Sequence, residues 1–266
     1  MDELRNKARE LLESGAVQMV IGYEQGTGNK TRAVFVEDPV QVPRLIFDSR
    51  CVQNLAVYMT KAEVRKKGKP ALVASVPVLR SLIQLAYENQ IHDESLVVLG
   101  VSPDLKLIEF SNLSEIENYL KQYTLEISIR DKEILQKLEN MSADERWQYW
   151  TTVLEPCFKC YACRAACPLC YCTQCTVEDN RPQWVPVASH PLGNFEWHIM
   201  RAMHMAGRCT DCEACANACP IGIPLNLLTK KIVMDMGKSF GDNGPSLTAR
   251  NPMSTFRPDD KENFIN

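Results

Sequence analysis

Eight cysteines in the second half of the chain form two runs that share one spacing pattern. Each run reads C-x2-C-x2-C-x3-C-P, and together they comprise Cys157, Cys160, Cys163 and Cys167 with Pro168, and Cys209, Cys212, Cys215 and Cys219 with Pro220. Three thiolates at intervals of three can wrap one iron–sulfur cube within a tight loop, and the proline keeps the following helix from pulling the fourth sulfur out of line. The spacing therefore predicts two 4Fe–4S clusters, which carry single electrons.

The pattern also predicts how the cysteines divide between the two clusters. When two such runs share a chain, the fourth cysteine of each run ligates the cluster held by the other run. The first cluster would then bind Cys157, Cys160, Cys163 and Cys219, and the second Cys209, Cys212, Cys215 and Cys167. Structural zinc favours paired C-x2-C knuckles and disulfides need an oxidising compartment, so both explain the repeated run less well.

Three further cysteines, Cys170, Cys172 and Cys175, lie between the two runs and are not used by two clusters. Thiols this close together invite a metal, so a third iron–sulfur cluster, a zinc site and a group of packed or redox-active thiols are all open alternatives. Four side chains are available as a further ligand: Cys51, His190, His198 and His204. In another arrangement, one of the three cysteines takes the place of Cys167 at its cluster.

The residues upstream of the first run carry alternating strand and helix signals. Apolar periodicity predicts helices over 2–14, 56–67, 78–89, 114–122, 132–140 and 144–153, and strands over 17–23, 32–36, 71–76 and 95–101. The turn Gly26–Asn29 predicts a hairpin between the first two strands, and the strand–helix–strand order of 71–101 predicts a parallel pair. Ser114 and Glu117 have the spacing of a capping box at the start of their helix.

Eleven of the twelve cysteines lie in the stretch that begins at Cys157 and ends at Cys219, with helices expected over 195–206, 211–218 and 225–236. Beyond Gly237, glycines and prolines interrupt a polar segment, which is either a disordered tail or an extended arm ordered by a neighbouring subunit. Its apolar residues are potential anchors on a partner: Met253, Phe256, Phe264 and Ile265.

The cysteine distribution divides the chain into three expected parts. Residues 1–153 form an α/β docking module with a mixed sheet and crossover helices, and residues 154–236 an α-rich, ferredoxin-like domain with two clusters and a long insertion. Residues 237–266 form an extended C-terminal arm.

Composition narrows the classes of function. The chain has 266 residues, 45% of them hydrophobic, and a net charge of −3 with both signs interspersed. Nothing in this balance indicates nucleic acid or an anionic membrane surface as a partner. The first residues are charged and amphipathic rather than a secretion signal, and no stretch is long and apolar enough to span a membrane. Free thiolates agree with a reducing compartment, so we expect a cytoplasmic protein.

The cysteine-rich stretches resemble a known family. CFKCYACRAACPLCYCTQC, from Cys157 to Cys175, and GRCTDCEACANACPIGIPLNLL, from Gly207 to Leu228, are similar to the cluster-bearing part of the beta subunits of deazaflavin-reducing hydrogenases and formate dehydrogenases. Those subunits occur beside heterodisulfide-reductase-type and hydrogenase-type subunits. The upstream stretch ALVASVPVLRSLIQLAYENQIHDESLVVLGVS, within 71–102, is similar to the family's α/β module, so the resemblance covers about two thirds of the chain.

The resemblance implies an oxidoreductase subunit that could bind FAD. Two departures argue against the flavin: Val78 follows Pro77 where the family commonly has cysteine, and Val101-Ser102-Pro103 stands where the family tends to have Cys-Gly-Gly. No G-x-G-x-x-G motif is present either.

We therefore expect an electron-transfer subunit of a multi-subunit anaerobic oxidoreductase, passing single electrons through two clusters between a catalytic subunit and another redox subunit. No acid–base pair or nucleophile is evident, so this chain alone is not expected to turn over a substrate. Its partners would be subunits of a hydrogenase, formate dehydrogenase or heterodisulfide-reductase type of complex. Two alternatives are a flavin-carrying subunit that reduces a deazaflavin or similar hydride carrier, and a zinc-dependent scaffold without redox activity.

Overall fold

The N-terminal part of the chain is a mixed five-stranded sheet with helices packed on it. The structure is a computed structural model that describes residues 1–124, 127–175, 177–178, 181–241 and 245–248. The strands are β1 (Met19–Gln25), β2 (Thr31–Val36), β3 (Pro70–Ala74), β4 (Val97–Val101) and β5 (Leu107–Phe110), arranged in the order β2-β1-β3-β4-β5. The predicted mixed sheet is confirmed.

Both local predictions of strand pairing are correct. β1 and β2 form the antiparallel hairpin, with Val20 opposite Val36. β3 lies parallel to both β1 and β4, so the three central strands run in one direction. All five residues of β3 are buried, which is why it reads as a continuous apolar run.

The described residues contain ten α-helices, most of them close to the expected positions. They are α1 (Asp2–Glu13), α2 (Ala62–Lys67), α3 (Val76–Tyr87), α4 (Leu113–Leu120), α5 (Ile129–Glu139), α6 (Ala143–Leu154), α7 (Ala162–Ala165), α8 (Pro191–Met203), α9 (Ala214–Asn217) and α10 (Leu225–Phe240). α3 is the crossover helix between β3 and β4. Among the described residues from α5 onward, every regular element is a helix, in agreement with the predicted helical C-terminal part.

Two hydrophobic cores hold these elements. The larger core lies between the sheet and the helices α1, α3 and α4, and it also contains Leu169 and Met205 from the cysteine-rich part. The smaller core joins α6 and α8 to the cysteine runs through Leu154, Trp197 and Ile223. The cysteine-rich segment therefore packs against both cores.

Several sequence predictions were wrong in detail. The strand β5 was not expected, and the single helix predicted over 56–67 is a 3-10 helix (Leu55–Thr60) followed by the short α2. α4 begins earlier than predicted, because the side chain of Asn112, not Ser114, accepts the capping hydrogen bond, from the Glu115 N–H at 2.9 Å. A preceding asparagine is a strong cap and competes for the start of the helix.

Glu117, predicted to close that capping box, instead binds the C-terminal segment. Its carboxylate accepts hydrogen bonds from the Ser246 hydroxyl at 2.7 Å and the Leu247 N–H at 2.9 Å. α10 also extends past Gly237 to Phe240. The described residues of the expected arm thus contact their own chain. Its four apolar residues from Met253 to Ile265 lie outside the described part of the chain.

A clamp of three side chains ties the cysteine-rich part to the sheet part. Arg208 donates two hydrogen bonds to the Glu88 carboxylate, at 2.8 and 2.6 Å, and the Tyr171 hydroxyl donates a third at 2.7 Å. Arg208 also donates to the Leu169 carbonyl at 3.1 Å. Burial raises the pKa of Glu88, but the bonds and charge of Arg208 outweigh it and hold that pKa below its usual value. The carboxylate is therefore charged at neutral pH.

None of the helices in the described ranges combines the length and the apolar character that crossing a bilayer requires.

Candidate metal centres

The two cysteine runs fold into loops with the same backbone conformation. In the first run, Lys159 and Tyr161 have left-handed φ angles of 53° and 58°, and in the second run Asp211 and Glu213 have 53° and 58°. Non-glycine residues rarely adopt this conformation, which costs on the order of 1–3 kcal/mol each. A strain repeated at equivalent positions indicates that both loops are shaped for the same purpose. Each loop leads into a one-turn helix, and these two helices, α7 and α9, contact each other.

The structure brings the fourth cysteine of the second run to the first loop. Four thiols that we call the first thiol group line one small cavity: Cys157, Cys160, Cys163 and Cys219. The Lys159 N–H points at the Cys157 sulfur at 3.4 Å, and the Ile223 N–H points at the Cys219 sulfur at 3.4 Å. This grouping is the one that crossed ligation requires.

The second thiol group comprises Cys209, Cys212, Cys215 and Cys167. Each of the first three thiols interacts electrostatically with Cys167, so the fourth cysteine of the first run sits with the second loop. Burial raises the pKa of Cys215 to about 12, and in the first thiol group it raises the pKa of Cys163 to about 11. Thiols with such pKa values stay protonated at neutral pH while no cofactor is bound. Because iron binds the deprotonated thiolates, formation of the clusters should release those protons.

Two buried N–H groups support the presence of an acceptor-rich cofactor between these thiols. Trp197 Nε1 and Arg201 Nε are buried and have no hydrogen-bond partner among the described residues. Trp197 lines the cavity of the first thiol group. Orphaned buried donors are rare in native proteins and call for an explanation. The sulfides and thiolates of a 4Fe–4S cluster accept N–H hydrogen bonds, so the residues present fit such a group.

Each thiol group has a polar side chain of its own at one sulfur. In the first thiol group, His198 Nε2 lies 3.3 Å from the Cys157 sulfur. Burial, together with the charges of Arg201 and Lys159, lowers the pKa of His198 to about 4, so the imidazole is neutral and can donate its Nε2–H to that sulfur. His198 was a candidate ligand of a third metal, but the structure places it here.

In the second thiol group, burial raises the pKa of the Cys212 thiol, and interactions with the side chains of Asn54 and Thr210 partly offset that rise. Asn54 also donates to the Ser81 hydroxyl at 2.8 Å, and Ser81 bonds Thr210 at 2.9 Å. Sequence reasoning missed these three residues. They lie far apart in the chain and follow no motif, so only the folded structure brings them to one cysteine.

A buried lysine neutralises the carboxylates of the second loop. Lys230 on α10 pairs with Asp211 at 2.9 Å and Glu213 at 2.7 Å, and it also lies 3.8 Å from Asp131 on α5. Its side chain is 3% exposed and that of Asp211 is 5% exposed. Lys230 thus forms ion pairs with Asp211 and Glu213, the two residues of the second loop that have left-handed φ angles.

The three cysteines between the runs do not come together. Cys170 lies beside Cys167 and donates its thiol hydrogen bond to it, which lowers the pKa of Cys167 to about 6. Cys172 is exposed, whereas Cys175 packs against the smaller core. No three His, Cys, Asp or Glu side chains in the described ranges lie close enough together for a single metal ion. Since a 4Fe–4S cluster spreads its thiolates around a cube, this absence concerns single ions only.

The other side chains considered for a third metal are also elsewhere. His190 caps α8 by accepting the Gly193 N–H at 3.3 Å, and His204 is the residue that ends the same helix. Cys51 is buried in the larger core. A third metal at Cys170, Cys172 and Cys175 therefore gains no support from the described geometry.

Two cavities lie between the sheet part and the two cysteine runs. The larger, of about 700 Å³, borders Cys212 and the carboxyl ends of two parallel strands, at Ser75 and at Ser102. The other, of about 520 Å³, is lined by three cations, Lys30, Arg50 and Lys61. Both border Asn54, so they are neighbours. In open sheets with parallel strands, ligands bind at this edge.

The fold and the site together define a class of protein in which a mixed α/β sheet is joined to a helical part that carries two groups of four thiols. Over 99 residues, 36% of this chain, it is 32% identical to the F420-dependent formate dehydrogenase subunit beta of Methanocaldococcus jannaschii. Over 92 residues it is 33% identical to the F420-dependent formate dehydrogenase 1 subunit beta of Methanococcus maripaludis. The chain is thus related to beta subunits of formate dehydrogenases, as predicted.

The similarity covers only part of this chain and only part of each relative. The matched segment spans 24% of the first relative and 23% of the second. It also covers 36% of this chain, less than the two thirds expected from its motifs. No protein-family model matches the chain.

Proposed function

We propose that this protein is the electron-transfer subunit of a cytoplasmic, multi-subunit oxidoreductase, and that it relays single electrons through two 4Fe–4S clusters. The catalytic subunit and a second redox subunit are its proposed partners. Relatives that carry the name of formate dehydrogenase beta subunits support a place in a complex of this kind.

The observation that carries the proposal is the crossed grouping of eight thiols on two loops of identical conformation. The clusters would supply one-electron chemistry when bound. The chain itself provides eight cysteine thiols, orphaned N–H donors at Trp197 and Arg201, and two hydrophobic cores that flank the thiol groups. These are the features by which a protein holds a cluster and sets its potential.

The positions of the two thiol groups suggest a path. In the first thiol group Cys160 is exposed, and the apolar side chains of Phe158 and Ile221 border the same cavity and reach the surface. Cys212 of the second thiol group borders the larger cavity at the sheet. One end of the relay would therefore face a protein partner, and the other end would face the interior of the sheet part.

Cluster content is the direct test. Protein purified without oxygen should contain about eight irons and about eight acid-labile sulfides per chain, four of each for one cluster. A content near four of each would refute the second cluster. Zinc without iron or sulfide would select the scaffold alternative instead.

A second candidate function rests on the cavity of about 700 Å³ beside Cys212. Its size is in the range of cofactor sites, it lies at the edge of the sheet where ligands bind, and the neighbouring cavity offers three cations to an anionic group. A flavin there would make the chain a two-electron to one-electron converter that reduces a deazaflavin or similar hydride carrier. Flavin absorbance that stays with the purified chain through gel filtration would select this function, and its absence from an iron-loaded protein would exclude it.

A further inference from the structure

Arg201 occupies an unusual position for a charged residue. It lies on α8, is 6% exposed, and donates one hydrogen bond from Nη2 to the carbonyl of Cys163 at 3.0 Å. Its Nε has no partner among the described residues. None of the carboxylates in the described ranges lies within ion-pair distance of its guanidinium.

A buried guanidinium without a counter-ion is costly. Removing an ion from water carries a penalty of several kcal/mol unless an opposite charge and hydrogen bonds compensate it. The groups that interact with Arg201 electrostatically are the thiols of Cys167, Cys170, Cys215 and Cys163. Cys163 belongs to the first thiol group, whereas Cys167 and Cys215 belong to the second. The geometry agrees on both sides, because Arg201 bonds the Cys163 carbonyl and the sulfur of Met205, four residues beyond Arg201, lies 4.0 Å from the Cys167 sulfur. Arg201 is therefore a cation that both thiol groups share.

We propose that Arg201 is the shared counter-ion of the two cluster sites and that it sets the reduction potentials of both. This inference rests on the proposed function and adds a potential-setting residue to it. A 4Fe–4S cluster with four thiolates is an anion that becomes more negative when it accepts an electron. A fixed positive charge and an N–H donor next to it favour the reduced state, and hence raise its potential. No proton moves in this step.

Two other side chains provide matched comparisons, because each touches only one thiol group. His198 contacts Cys157 in the first thiol group, and Asn54 contacts Cys212 in the second. Replacing either should change one potential. Replacing Arg201 should change both, which a residue with a merely structural role on one side would not do.

The experiment is a redox titration of the full chain, followed by electron paramagnetic resonance. In Arg201→Gln, the ratio of reduced to oxidised cluster at a fixed potential should fall about tenfold at both sites, equal to about 59 mV for one electron. Arg201→Lys, which keeps the charge, should restore most of the shift. His198→Phe and Asn54→Ala should each move one signal only, and so assign the signals to the two sites.

Unchanged potentials in Arg201→Gln, or a shift at one site alone, would overturn the proposal. If the glutamine variant does not hold its clusters, the lysine variant decides: cluster retention with lysine supports the role of the charge, and equal loss with both substitutions refutes it. The wild type is measured first. A wild type without two reducible clusters refutes the proposed function, whereas two clusters with potentials that Arg201 does not influence refute only this inference.

Discussion

Cys219 is the residue on which the crossed grouping depends, since it lies in the cavity of Cys157, Cys160 and Cys163 although it belongs to the second run. Pairs of substitutions can test this. If ligation is crossed, Cys219→Ala combined with Cys160→Ala removes one cluster, and about four irons should remain. Cys219→Ala combined with Cys212→Ala should remove both clusters, and almost no iron should remain.

The iron content of the two double variants is the measurement, with the wild type as reference. Local ligation, in which each run holds its own cluster, would give the opposite result. The pair with Cys212 would then keep about four irons, and the pair with Cys160 would lose nearly all of them.

Cys170 lies within hydrogen-bond distance of Cys167 and is buried with it, so it is placed to replace that ligand. We expect Cys167→Ala to retain about eight irons per chain, because the Cys170 thiol would give up its proton and bind the vacant iron. Cys167→Ala with Cys170→Ala should drop to about four. The control is Cys167→Ala with Cys172→Ala, which should behave as the single variant because Cys172 is exposed. Equal iron loss in the single variant and the Cys170 double variant would contradict this role.

At the scale of elements, α10 holds the second loop through Lys230. Lys230→Met would leave Asp211 and Glu213 without their cation, next to the second thiol group. Breaking a buried ion pair on one side costs about 3–5 kcal/mol. The midpoint of thermal unfolding under anaerobic conditions should therefore fall clearly.

Lys231 provides the control for Lys230. It is the next residue on the same helix, and it pairs with Glu139 and Asp235 at partly exposed positions. Exposed pairs contribute about 0–1 kcal/mol, so Lys231→Met should change the unfolding midpoint little. A drop of similar size in both variants would show that the buried ion pairs of Lys230 stabilise the fold no more than the exposed pairs of Lys231.

The elements themselves show what the sequence could and could not predict. The hairpin and the parallel pair follow from local patterns, namely a glycine-rich turn and two apolar runs around an amphipathic helix. β5 carries no such signal, since Leu107–Phe110 has four residues, none of them fully buried, and depends on pairing with β4. The 3-10 helix Leu55–Thr60 has helical spacing, but its exact geometry is set by packing.

In the candidate site, too, local spacing is visible in the sequence, whereas contacts between distant residues are not. The spacing of the runs predicts which cysteines would share a cluster, and the crossed ligation stays a prediction. The hydrogen bonds of Ser81 to Asn54 and to Thr210, and the interaction of Asn54 and Thr210 with Cys212, depend on how the sheet part and the helical part meet. The charge of Arg201 was visible in the sequence as a residue near the runs, but its burial between the two thiol groups was not.

At the scale of the whole molecule, the clamp of Arg208, Glu88 and Tyr171 joins the two parts. Glu88→Ala would leave Arg208 partly buried and unpaired, and would free the segment that carries Cys170 and Cys167. We expect iron to be released from the second thiol group to a chelator several-fold faster, while the first thiol group keeps its iron.

The rate of iron release, followed by absorbance, is the measurement for this variant. Glu37→Ala is the control, because Glu37 forms an exposed ion pair with Lys67 far from the clamp residues in sequence. Equal release rates in the wild type and Glu88→Ala would show that the clamp does not influence the second thiol group.

The exchange of fourth cysteines between the two loops has a consequence for how the protein is assembled. Under the proposed crossed ligation, neither loop would complete its own cluster, so residues 157–167 and 209–219 would have to come together before either cluster is fully ligated. Formation of one cluster would then favour formation of the other, because it would already hold the two loops together. Each of the two clusters would also link residues before the insertion to residues after it. Such cross-links reduce the conformational entropy of the unfolded chain. If a protease cleaved the chain within that insertion, the two fragments would stay joined through the proposed clusters.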